Sequence, residues 1–177
     1  MSWKSQIIKS FAKHTARTIE RLSKSGVEVQ HAGFKKLIEQ GKNTIFGNDH
    51  KFSSINTYAD FKKNVPIRDY EQLKPYIERI KRGEPDILWR GKPAYFAKTS
   101  GTTSGVKYVP ITKDSLPNHF GSARNALFNF SAKTDNYNWL EGKQIFLSGS
   151  PELEEINGIK TGRLSGISNH LVPQWLR

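Results

Sequence analysis

The chain has 177 residues, enough for a domain with a real core, and no cysteine, which excludes a disulfide scaffold, a zinc–thiolate site and a cysteine nucleophile. Lys and Arg number 28 against 16 Asp and Glu, a net charge of +12, while 36% hydrophobic and 11% aromatic residues exclude a disordered tail. No window approaches the roughly 18 apolar residues that a membrane-spanning helix needs. The basic excess is uneven: residues 1–59 carry ten basic and four acidic side chains, residues 119–177 six and five. Such a charge suits a phosphate-rich small molecule, a nucleic acid or an anionic membrane, or is simply a solvated surface.

Residues 1–21 read as an amphipathic helix. Ile8, Phe11, Ala12, Thr15, Ile19 and Leu22 line one side, and no acid occurs before Glu20. The pattern fits a packed helix better than a transit peptide. The uncharged apolar stretch of a secretory signal is missing, so a cytoplasmic location is expected. Gly26 separates this helix from a second at about 27–40, carrying Phe34, Leu37 and Ile38 and closed by Gly41. Thr57 is placed to cap a short helix holding Tyr58 and Phe61, which Val65-Pro66 ends. Asp69 with Gln72 forms a capping box for a helix whose core face is Leu73, Tyr76, Ile77 and Ile80, and which Gly83 stops. Pro75 inside it calls for a kink or a start nearer Pro75.

After Pro85 the pattern changes. Ile87-Leu88-Trp89, Ala94-Tyr95-Phe96-Ala97 and residues 108–111 read as strands. Thr112, Ser115 and Pro117 open a long helix to about Ala132, with Phe120, Ala123, Leu127 and Phe130 or Ser131 inward. Gln144 to Ser148 reads as another strand, and the glycine-bearing tail shows little periodicity. Helices first, then strands mixed with a helix, give an α/β or α+β fold.

One segment concentrates chemistry: Thr99-Ser100-Gly101-Thr102-Thr103-Ser104-Gly105-Val106-Lys107. Gly101 and Gly105 let successive backbone N–H groups turn inward, the hydroxyls add donors, and Lys107 adds a positive charge. Together they suit phosphate oxygens. The apolar strands on both sides would hold the loop, which is expected to lie between two antiparallel strands. It is no Walker A loop, since only three residues separate the glycines and Lys107 leads into a strand rather than a helix. The same composition also fits a surface hairpin with no ligand.

The segment resembles the phosphate-loop signature of the adenylate-forming superfamily, with Phe96 at the apolar lead position and Thr99, Ser100, Gly101, Thr102, Thr103, Ser104, Val106 and Lys107 matching in order. Asn64-Val65-Pro66-Ile67-Arg68-Asp69-Tyr70, Tyr76-Ile77, Gly83-Glu84-Pro85-Asp86-Ile87-Leu88-Trp89 and Tyr108-Val109-Pro110-Ile111-Thr112 resemble the auxin-responsive (Gretchen Hagen) acyl acid amido synthetase family. Gly162-Arg163-Leu164-Ser165-Gly166, Val172-Pro173 and Trp175-Leu176-Arg177 are similar to its bacterial members. Plant members usually carry the loop lysine one residue later, where this chain has Tyr108.

The resemblance implies an α/β fold: the N-terminal part of an adenylate-forming large domain, with helices followed by mixed strands around a phosphate-binding hairpin loop. Residues 1–54 would be its helical entry and 55–177 the part with the loop, in one incomplete domain. It further implies an ATP-dependent ligase that adenylates a carboxylic acid and passes the acyl group to an amine, usually that of an amino acid. Thr99, Ser100, Gly101, Thr102, Thr103, Ser104, Gly105 and Lys107 would hold the phosphates of ATP. Mg2+ is expected with ligands beyond Arg177, together with the adenine and ribose motifs, so the isolated chain is expected to be inactive. No catalytic residue is assigned, and no metal-ligand spacing is present. His119 and His170 stand nearest the chemistry but read as packed or half-exposed. His14, His31 and His50 have no nameable partners. Glu152, Glu154 and Glu155 read as a solvated turn. No nucleic-acid or membrane partner is expected; the alternatives are a basic module binding single-stranded nucleic acid through its aromatics, or an inactive truncated product.

Overall fold

A four-stranded sheet of order β2-β1-β4-β3 organises the loop-bearing part of the chain. The computed structural model describes residues 3–99, 105–139, 142, 145 and 149–171. The expected strand Gln144 to Ser148 falls, Ile145 apart, outside them. The chain forms two compact units, Met1–Ala32 with Asp114–Leu147, and Gly33–Lys113 with Ser148–Arg177.

In the first unit, α1 (Trp3–Lys24) packs on α6 (Leu116–Thr134). Ser5, Ile8 and Ala12, spaced for one helical face, are the buried residues of α1. Ile8 and Ala12 meet Tyr137, Phe128, Ala132 and Trp139. The inward face of α6 is therefore Phe128, Ser131 and Ala132: of the two residues expected inward at its end Ser131 is buried and Phe130 is not, and Ala123 and Leu127, also expected inward, are exposed. Leu127 and Phe130 are 48% and 55% exposed. Two apolar stripes run along α6, and the small residues Ser131 and Ala132 fit α1 more closely. Ser131 can be buried because its Oγ donates to the Leu127 carbonyl and accepts from Trp139 Nε1. Phe11 and Leu22, expected inward, are likewise largely exposed.

The helix break falls at Ser25, and Gly26 is already the first residue of α2 (Gly26–Gly41). The second unit then adds two elements that no sequence pattern announced. These are α3 (Ile45–Asp49), capped by Thr44 Oγ1 on the Gly47 N–H, and a 3-10 turn at Phe52–Ser54. A row of rings crosses it: Phe34 meets Phe61, Phe61 meets Phe52, and Phe52 meets Phe46, which stacks on His50 and meets Tyr76 edge-on. Both expected caps form. Thr57 and Asp60 close a box on α4 (Tyr58–Asn64), and Asp69 and Gln72 one on α5 (Tyr70–Lys81). The latter fixes the start of α5 at Tyr70, five residues before Pro75. Ile77 and Ile80 of α5 join Ile87, Phe96 and Ile159 in the main core.

The sheet comprises β1 (Tyr95–Thr99), β2 (Lys107–Ile111), β3 (Glu154–Ile156) and β4 (Ile159–Arg163). β1 pairs antiparallel with β2 and parallel with β4. Phe96 and Ala97 are both buried, as befits a central strand covered on two faces, with α7 (Leu164–Leu171) packed against β1 and β4. Ile87-Leu88-Trp89 is not a strand. Its backbone serves α3 instead: the Asp86 and Ile87 carbonyls accept from the Ile45 and Phe46 N–H groups. The tail is more regular than expected, with β3 and β4 joined through Asn157-Gly158, both at positive φ. Glu154 and Glu155 are thus strand residues, and Glu154 pairs with Lys98.

Candidate functional site

Strands β1 and β2 form a hairpin whose last pair is Thr99 with Lys107. The glycine- and hydroxyl-rich segment is therefore framed by two antiparallel strands. Thr99 ends β1 and is exposed, Gly105 has φ +78, and Lys107 opens β2 half-buried. A positive φ suits glycine, and a side chain would strain the chain where it turns back into β2. Ser100, Gly101, Thr102, Thr103 and Ser104 lie outside the described residues. Lys107 begins a strand and no helix starts at Gly105, which separates this loop from strand–loop–helix phosphate sites.

Alternation in β2 sets the two candidate lysine positions on opposite faces. Tyr108 pairs with Lys98 and packs on Phe96, on the face covered by α5. Lys81 of α5 holds its ammonium 4.6 Å from the Tyr108 ring centroid. By register Lys107 belongs to the face of Thr99 and Ala97. Its ammonium stands 5.6 Å from the ring centroid of Tyr70. Tyr70 also reaches the edge itself: its Oη accepts a 2.8 Å hydrogen bond from the Tyr108 N–H. An otherwise open edge N–H is thereby satisfied. Sequence reading missed this contact, since 38 positions separate the partners and no spacing rule connects them.

Among the described residues no three His, Asp or Glu side chains converge as a metal site. His119 is exposed. His170 is exposed too and bonds through Nε2 to the Pro151 carbonyl. His50 is the buried histidine: Nδ1 donates to the Phe46 carbonyl, leaving Nε2 to accept from Arg68. It serves the α3 turn rather than a reaction. Burial, followed by the hydrogen bond to Asp49, pushes the Tyr76 phenol above its ordinary range. Tyr137 is raised in the same way, by burial and then by Asp135.

Residues 15–171 match the model of the GH3 family N-terminal domain. The chain belongs to the GH3 family. Relatives include the probable indole-3-acetic acid-amido synthetase GH3.13 of Oryza sativa subsp. japonica, 47% identical over 60 residues, which are 33% of this chain and 13% of that protein. The indole-3-acetic acid-amido synthetase GH3.15 of Arabidopsis thaliana is 44% identical over 100 residues, 55% of this chain and 17% of that one. The jasmonoyl–L-amino acid synthetase JAR4 of Nicotiana attenuata is 25% identical over 81% of this chain and 25% of its own. The solved structure titled AtGH3.15 acyl acid amido synthetase in complex with 2,4-DB superposes with a TM-score of 0.76 at 21% identity, over 92% of this chain and 28% of that chain. The fold is thus the one that this amido synthetase shares, an α/β arrangement as the sequence led us to expect. This GH3 chain spans at most about a quarter of the length of these curated relatives. They are plant proteins, so they lend no support to the likeness to bacterial members.

Proposed function

We propose that this chain holds the β- and γ-phosphates of ATP in an ATP-dependent acyl acid amido synthetase. The observation that carries the reading is the β1–β2 hairpin around Thr99–Lys107 in a chain matched by the family's N-terminal domain. A carboxylate oxygen of the acid attacks the α-phosphorus, the bond to the leaving pyrophosphate breaks, and an acyl-adenylate forms. An amino group then attacks the acyl carbon, and AMP leaves with the electron pair of the broken C–O bond. The carboxylate is already a nucleophile, so no loop side chain need act as a base. The loop's part is to keep the attack in line and to offset charge as pyrophosphate departs. The relatives' names support a small carboxylic acid and an amino acid as substrates. Mg2+ arrives with ATP and takes its protein ligands outside the residues described here. Residues 1–54 act as helical entry and 55–177 as loop-bearing part of one cytoplasmic adenylating domain.

The test uses an enzyme of the relatives' full length that carries this segment. Lys107→Ala with Thr102→Ala should slow adenylation by roughly 10- to 100-fold, the worth of one charge-assisted hydrogen bond of about 1.5–3 kcal/mol. Amide formation from preformed acyl-adenylate should be nearly unchanged, because pyrophosphate has already left. Single-turnover kinetics of each half-reaction decide it. Equal losses in both would reduce the loop to a folding element, and a loss confined to amide formation would place it at the wrong step.

A further inference from the structure

We propose that Tyr70 is the positioning residue of the loop lysine: its hydroxyl fixes the start of β2 and its ring steers the Lys107 ammonium. This rests on the phosphate-holding reading of the loop and adds to it a residue outside the loop. Three observations meet at Tyr70. Its Oη accepts the Tyr108 N–H at 2.8 Å, one residue after Lys107. Its ring lies 5.6 Å from Lys107 Nζ. And Tyr70 is the first residue of α5, whose start is locked by the Asp69–Gln72 box with bonds of 2.9 and 3.0 Å. The phenol is thus mounted on an anchored helix end, while its tip and face both address the strand that leaves the loop.

The physical consequence is a smaller search for the lysine. A lysine stem has several free torsions, and its ammonium in water samples many positions. Among the described residues β2 is the edge strand of its sheet, so no neighbouring strand there limits that sampling. A tyrosine face attracts the ammonium without neutralising it, so the charge stays available to an anion. A carboxylate in the same place would also hold the lysine but would compete with phosphate for it. Among the described residues Lys107 has no acidic partner within salt-bridge distance, whereas the nearby Lys81 pairs with Glu78 at 3.0 Å. The bond to Tyr108 adds register. If β2 slipped by one residue, Tyr108 and Lys107 would exchange faces of the sheet.

The test uses the 177-residue chain with inorganic tripolyphosphate as probe, read by calorimetry and by NMR of the Lys107 ε-methylene and the Tyr108 amide. In the unaltered chain, tripolyphosphate should bind and the ε-methylene should show a ring-current shift. Tyr70→Phe should keep that shift but speed exchange of the Tyr108 amide, with affinity falling a few-fold. Tyr70→Leu should abolish the shift and weaken binding about three- to tenfold, the range of a cation–π contact with one hydrogen bond. Adding Lys107→Ala to Tyr70→Leu should cost little beyond Lys107→Ala alone. Tyr76→Phe, on the same helix but bonded to Asp49, is the control and should bind normally. A folded Tyr70→Leu chain that binds like the unaltered one, while Lys107→Ala binds weakly, overturns the role of Tyr70 and leaves the loop reading standing. Absence of binding in the unaltered chain, or binding indifferent to Lys107→Ala, overturns the loop reading and this inference with it.

Discussion

Single positions show most directly where the backbone leaves no choice. A Cβ on Gly47 would stand 2.1 Å from the Gly41 carbonyl oxygen, because α3 folds back onto the end of α2. That oxygen already accepts from Thr44 N–H and Thr44 Oγ1. Gly47→Ala must push backbone from backbone, and overpacking of this kind costs about 1–3 kcal/mol or more. Gly33 sits exposed inside α2 with nothing within 4 Å of an added Cβ. Gly33→Ala should therefore gain about 0.5–1 kcal/mol from helix propensity and a stiffer unfolded chain. Urea unfolding of the two variants should move the midpoint in opposite directions. A Gly47→Ala chain as stable as the parent would show that α3 does not close on α2. The Gly33 effect follows from the helix read at about 27–40, but that of Gly47 was not legible, since nothing in the spacing of Gly41, Thr44 and Gly47 announces a five-residue helix.

At the scale of elements, the helix caps at Thr57 and Asp69 were the clearest messages in the sequence. They depend on bonds over three residues, which spacing alone can reveal. The Thr57 hydroxyl and the Thr57 and Asn56 backbone N–H groups hold the Asp60 carboxyl below its ordinary range. A carboxyl lowered on folding contributes stability above its unfolded pKa, near 3.9, and loses it as pH falls through the folded value. The start of α4 should accordingly fray in acid before the main core opens. Amide exchange at residues 58–61 measured down the acid range checks this. Thr57→Ala should cost about 1 kcal/mol near neutral pH and reduce that local acid response, the backbone N–H groups of Thr57 and Asn56 keeping the remainder. A response of unchanged size in Thr57→Ala would assign the acid effect to another group. Elements held by distant partners were less legible. Residues 87–89 have strand composition, yet the carbonyls of Asp86 and Ile87 turn to α3. The stripe that α6 buries was only partly placed: Ser131 is buried, but Leu127 and Phe130, as apolar as Phe128, are not, and only α1 decides between them. The β3–β4 hairpin hid behind two glutamates, although Asn157-Gly158 is a strong turn signal.

For the whole molecule, the informative contrast lies between what the loop can hold and what ATP presents. The hairpin, its glycine-bearing turn and Lys107 were readable because the motif is local. Tyr70 was not, since only the packing of α5 against β2 brings it there. In the role proposed for it, the loop would meet phosphate oxygens with hydrogen bonds and one ammonium, and each such contact gives only about 0.5–3 kcal/mol net in water. Immobilising a triphosphate works against that gain, so phosphate contacts alone imply weak, salt-sensitive binding. In-line attack further requires the α-phosphorus and the acid to be fixed together, and a misplacement of about 1 Å costs on the order of 100-fold in rate. The residues that match the named curated relatives cover at most a quarter of those proteins' length. The chain by itself should therefore bind polyphosphate weakly and release no pyrophosphate from ATP with any carboxylic acid. A coupled pyrophosphate assay on the purified chain, run with and without indole-3-acetic acid and Mg2+, gives the answer. Acid-dependent release above the background of a Lys107→Ala control would mean that these residues orient the α-phosphorus as well as hold the β and γ. The division of labour assigned here to the loop would then be too narrow.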